Sequence, residues 1–76
     1  MSTEKIKEIL KQIKGEYFDI EDNLISDGYI NSFDLISLID KIETNFGIKI
    51  LLGELRPEDF DSVASISELI DGYTHN

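Results

Sequence analysis

Apolar residues recur with a helical period in three stretches of this chain. Ile6, Ile9, Leu10 and Ile13 fall at i, i+3, i+4 and i+7, while Glu4, Lys5, Lys7, Glu8, Lys11 and Gln12 take the other faces. That spacing predicts an amphipathic helix, capped by Ser2 or Thr3 and ended by Gly15. Leu35, Leu38, Ile39, Ile42 and Phe46 make the clearest stripe. Asn31 stands as its N-cap, and Asp34 sits three residues on, where its charge meets the free amides of the first turn. Gly47 is the stop, and the helix is about 22 Å long. The third stripe, Val63, Ile66, Leu69 and Ile70, predicts a helix from Val63 to Asp71. Ser62 is its cap, Ser65 with Glu68 forms a competing capping box, and Gly72 ends it. Residues 73–76 read as a frayed tail.

The connections carry weaker patterns. Residues 16–31 have no sustained period, but Tyr17, Phe18, Ile20, Leu24 and Ile25 are scattered apolar anchors. A loop this long is functional or disordered more often than not, and the anchors argue that it is pinned to the core. Asp27-Gly28 signals a turn at its far end. Ile48 to Leu52 alternates briefly and reads as extended loop. Pro57 starts a short helical turn through Phe60. Three main helices and one long loop read as a small up-and-down bundle, because short amphipathic helices must pack their stripes together.

Length and composition narrow the function. The chain has 76 residues, 41% of them hydrophobic, which gives one domain over 1–76. A core of this size rarely supplies more than roughly 3–5 kcal/mol of net stability. A catalytic pocket of ~300 Å³ would consume much of it. A carrier, adaptor or binding module fits better than an enzyme. The net charge is −9, which argues against nucleic acid and anionic membranes and favours basic protein partners. Glu16 to Asp40 holds seven acids and no Lys or Arg, whereas the first fifteen residues hold four Lys and two Glu. There is no cysteine, hence no disulfide framework or thiolate nucleophile. No apolar run approaches the ~20 residues of a membrane span, and the residues after Met1 lead into an amphipathic pattern without the apolar block expected of a signal peptide. A cytoplasmic monomer is expected.

Two features of the second helix suggest chemistry. At 100° per residue, Ile36 lies about 100° and Phe33 about 160° from the centre of the core stripe. Asp40 and Glu43 share that flank. Either the long loop covers this apolar pair, or it is a docking surface with an acidic rim. Ser32 takes the first helical position, beside free N–H groups and the positive end of the helix dipole, a setting that favours a phosphate on its oxygen. Serine is also a common helix cap, and spacing alone favours that plainer role.

The run Asp27-Gly28-Tyr29-Ile30-Asn31-Ser32-Phe33-Asp34-Leu35 resembles the prosthetic-group site of acyl and peptidyl carrier proteins. The common form there is Asp/Gly, two residues, Asp-Ser-Leu, then a helix. The likeness continues through the first helix, the long loop, Phe46-Gly47-Ile48, the Pro57 to Phe60 turn and the lead-in from Phe60 to Ile66. It implies an all-α four-helix bundle with a long first loop and a very short third helix. It also implies that a separate phosphopantetheinyl transferase attaches 4′-phosphopantetheine from coenzyme A to Ser32. The terminal thiol then carries acyl or aminoacyl groups as thioesters in fatty acid, polyketide or related biosynthesis. The cofactor brings its own sulfur, which suits a chain without cysteine. Asn31 replaces the usual Asp, and Phe33 replaces the usual Leu. Partners with basic docking patches, such as loading and condensing enzymes, are expected to recognise Asp27, Asn31, Phe33, Asp34, Ile36, Asp40 and Glu43.

The chain offers Ser32 no general base of its own, since its one histidine is His75 in the tail. The base and the metal are therefore expected from the modifying enzyme. Other readings are weaker. Asp19, Glu21 and Asn23 alternate as in a calcium loop, but Leu24 holds the slot that needs Gly, and Ile30 the slot that needs Glu. A helix-turn-helix lacks a basic recognition helix, and paired-carboxylate catalysis has no inferable pocket. An acidic helical adaptor without a prosthetic group uses the same face and treats Ser32 as a cap. A D-alanyl or other aminoacyl carrier shares the motif.

Overall fold

A computed structural model describes residues 3–74. Its elements are α1 (Thr3–Lys14), α2 (Ser32–Phe46), a 3₁₀ turn at Leu52–Glu54, a second at Pro57–Phe60, and α3 (Val63–Thr74). The described residues are thus all-helical, with three α-helices and no strand. The segment expected as a very short helix is the four-residue 3₁₀ turn, so a fourth α-helix is not among them.

The three stripes meet as their periods require. Ile6, Ile9 and Leu10 of α1, Leu38 and Ile42 of α2, and Val63, Ile66 and Ile70 of α3 are buried together. Leu35, Ile39, Phe46 and Leu69 pack half-buried around them. α1 packs against both other helices. The connections complete the core with Leu24, Ile30, Ile50 and Phe60. Gly47 ends α2 in the left-handed region, at φ 64°, where a residue without Cβ is unstrained.

The long loop is pinned mainly by a residue far along the chain. The Asp61 carboxylate accepts from Ile25 N at 2.8 Å, Ser26 N at 2.9 Å and Ser26 Oγ at 2.7 Å. The Asp61 carbonyl accepts from Leu24 N at 2.8 Å, and Val63 N donates to the Glu21 carbonyl at 2.9 Å. The loop therefore clips to the start of α3. Phe18, Ile20 and Ile25 anchor it as expected, but Tyr17 is 90% exposed and anchors nothing. Ile30, not counted among the anchors, is buried.

Several boundaries differ from the sequence pattern. Thr3 already lies inside α1, and the alternative cap, Ser2, is outside the described residues. Ser62 does cap α3, its Oγ accepting from Ser65 N at 3.0 Å, while Ser62 N donates to Ser65 Oγ at 3.2 Å. That reciprocal pair takes the place of a Ser65–Glu68 box. α3 continues through Gly72 to Thr74. Gly72 lies in the last turn of the helix, and Tyr73 beyond it packs against the core. Tyr73 is therefore no frayed residue, and its hydroxyl accepts from Leu51 N at 3.1 Å.

A core this small has no reserve. Truncating a fully buried leucine costs roughly 2–5 kcal/mol, comparable to the whole net stability. Leu38→Ala is expected to leave much of the chain unfolded without denaturant, measured by urea titration of the far-ultraviolet circular dichroism. A midpoint close to wild type would show that α2 is not held by this core.

Candidate functional site

Asn31 decides where α2 begins. Its backbone is extended, at φ −95° and ψ −176°, and its Oδ1 accepts from Asp34 N at 2.8 Å. Asp34 Oδ2 accepts in return from Asn31 N at 3.3 Å. The first helical bond runs from Leu35 N to the Asn31 carbonyl at 2.9 Å. An amide caps as well as a carboxylate, so the cap survives without a charge at position 31.

Ser32 is the next residue and is exposed. Its place in the first turn leaves its N–H without an intrahelical acceptor. Among the described residues no side chain hydrogen-bonds to its Oγ. The hydroxyl is neither locked into a cap nor activated by a neighbouring base. His75 lies outside the described residues.

The flank running down from Ser32 is apolar and open. Phe33 is 80% exposed and Ile36 66% exposed, so the long loop does not cover them. Leu52 of the following connection is 68% exposed on the same side, and a shallow depression of about 270 Å³ joins Ile36 and Ile39 to Ile50 and Leu52. Asp40, Glu43 and Lys49 line its edge. Phe33 and Ile36 thus stand open on this flank, and the exposed apolar surface extends onto Leu52, which sequence spacing on α2 could not reveal.

Its acids are not equivalent. Asp34 faces α1, where Lys14 Nζ donates to its Oδ2 at 2.9 Å. Glu43 Oε2 accepts from Ile50 N at 2.8 Å and secures the wall of the depression. Among the described residues the Asp27 and Asp40 side chains have no partner, and both residues are exposed. Of the acids named for this face, Asp34 and Glu43 are thus engaged within the fold and Asp27 and Asp40 are not.

Asp19, Glu21 and Asn23 form no ion cage. Glu21 pairs with Lys7 at 3.6 Å, and among the described residues no three His, Cys, Asp or Glu side chains converge to hold a metal. No described helix is long and apolar enough to cross a membrane. The chain matches no protein-family model, no curated protein and no solved structure.

Two carboxyls have depressed pKa values. The hydrogen bond from Lys14, helped by the Asn31 amide, holds Asp34 below the ordinary 3.8. The Ser26 amide and hydroxyl, with the Ile25 amide, do the same for Asp61. Each group is more acidic folded than unfolded, so the unfolded chain takes up protons first as pH falls. The stability these bonds contribute is complete well above pH 3.8 and declines as pH drops through that value. Urea midpoints recorded from about pH 6 to pH 2 should fall less steeply in Asp34→Asn and in Asp61→Asn than in wild type. Parallel profiles would show that neither carboxyl is held by these bonds.

Proposed function

We propose that this chain is a carrier that holds acyl or aminoacyl groups on a 4′-phosphopantetheine arm attached to Ser32. The observation that carries this reading is an unbonded serine hydroxyl facing solvent at the first position of a well-capped helix. Length, helix order, a 3₁₀ turn where carriers have their shortest helix, and an open apolar flank all support it. The four-helix description is part of the same proposal, with the Pro57 to Phe60 turn counted as the third helix.

The residues fit the group without rearrangement. Ser32 Oγ is the acceptor, and the free amides of the first turn suit the charge of a phosphodiester. When attached, the arm supplies a terminal thiol that holds the cargo as a thioester. The chain's own part is to bind and orient. Asn31 fixes the helix start, Phe33 and Ile36 give partners an apolar foothold, and Asp27 and Asp40 steer basic surfaces towards it. In the transfer, Ser32 Oγ bonds to the pantetheine-side phosphorus of coenzyme A, the pyrophosphate linkage breaks and adenosine 3′,5′-bisphosphate leaves; the proton lost from Ser32 goes to a base on the modifying transferase, and the chain itself performs no catalysis. A cytoplasmic location is part of this reading, because carriers of this kind work among soluble enzymes.

Intact mass after incubation with coenzyme A and a broad-specificity phosphopantetheinyl transferase tests the assignment. One added phosphopantetheinyl group is expected in wild type and none in Ser32→Ala. An unmodified wild-type chain points instead to an adaptor that uses the same face and never carries a cofactor.

The docking face has its own test. Asp27→Lys with Asp40→Lys should slow association with the transferase by up to about tenfold, most strongly at low salt. Phe33→Ala should speed dissociation at every salt concentration. Association that is unchanged by the charge reversals would remove the acidic rim from the account.

A further inference from the structure

The capping box closes the start of α2 on itself, but it does not fix that turn against the rest of the molecule. Asn31, Ser32 and Phe33 are exposed, Asp34 and Leu35 are half-buried, and the first fully buried residue of α2 is Leu38. The turn that carries the hydroxyl therefore has little packing of its own. Helix ends with few buried contacts open most readily.

One side-chain bond joins this turn to another element among the described residues. Lys14 Nζ donates to Asp34 Oδ2 at 2.9 Å, across a sequence separation of twenty residues. The same oxygen accepts the longer capping bond from Asn31 N at 3.3 Å. Lys14 closes the last turn of α1, and Asp34 lies in the first turn of α2. A cation at the negative end of one helix dipole thus meets an anion at the positive end of the next, so each charge also suits its own helix.

Around α2, Ser32 lies about 160° from Asp34. Holding Asp34 against α1 turns Ser32 away from α1. We infer that Lys14 is a positioning residue for Ser32: it fixes the first turn of α2 and with it the direction in which the hydroxyl leaves the bundle. This rests on the carrier reading of Ser32 for its functional meaning, but its structural content is independent of that reading. It also gives Asp34 a role different from partner docking, since its carboxylate is already engaged.

The experiment uses the whole chain with Lys14→Met and Lys14→Arg, and two readouts. Amide hydrogen exchange of the unmodified protein reports the turn itself. Loss of a partly exposed ion pair should speed exchange at Asp34 and Leu35 by about two- to fivefold in Lys14→Met. Ile42 and Ile66, in the core, exchange through global unfolding; they should speed by no more than the same factor and stay the better protected, which also confirms folding. Transfer from coenzyme A to Ser32 should show a similar fall in kcat at constant KM. Lys14→Arg should restore both. Unchanged exchange at Asp34 and Leu35 overturns the inference. So does a raised KM at constant kcat, which would make Lys14 a contact for the transferase. A wild-type chain that accepts no group overturns the carrier reading instead, and the exchange data then decide the role of Lys14 alone.

Discussion

Two hydrogen bonds between Asn31 and Asp34 set the residue at which α2 starts, and the position of Ser32 follows from them. A helix that began one turn later would leave Ser32 in an irregular loop. One that began a turn earlier would place it in mid-helix, where a serine hydroxyl tends to bond back to a carbonyl. With the cap on Asn31, the cap's bonds are made by other atoms and Ser32 Oγ is left over. The cap is made by an amide, so it holds the helix start without placing a charge at position 31.

This start is held at the end of a long connection, and that connection is ordered by groups drawn from elsewhere. Asp61 collects two amides and a hydroxyl from Ile25 and Ser26. Buried Leu24 and Ile30 fasten the loop from below. Lys14 then reaches from α1 to Asp34. In a chain with so small a core, such charge-assisted bonds fix segments that apolar burial cannot reach. Three of the exposed large apolar side chains, Phe33, Ile36 and Leu52, lie on or beside the flank of α2 that runs down from Ser32.

Much of this was legible in the sequence, for identifiable reasons. Helical stripes are written in local spacing, so all three helices, the Asn31 cap and the Gly47 stop could be read directly; the same spacing put Phe33 and Ile36 off the core stripe but left open whether the long loop covers them. What could not be read depends on distant partners. Asp61 bonds to residues 35 and 36 positions away, and no periodicity marks it. Asp34 and Glu43 look like surface charges by type and spacing, yet one is claimed by Lys14 and the other by the Ile50 amide. Gly72 looked like a helix end because propensity is local, whereas the packing of Tyr73 is not. Tyr17 looked like an anchor because an aromatic ring in a loop gives no sign of which way it faces.

The most direct test of the central claim is peptide mass spectrometry of the protein isolated from its native cell. Trypsin cleavage after Lys14 and Lys41 releases residues 15–41, a fragment with three serines, Ser26, Ser32 and Ser37. The account predicts a phosphopantetheinyl group, free or acylated, on Ser32 alone. A fragment that is wholly unmodified, or that carries the group on Ser26 or Ser37, would contradict it.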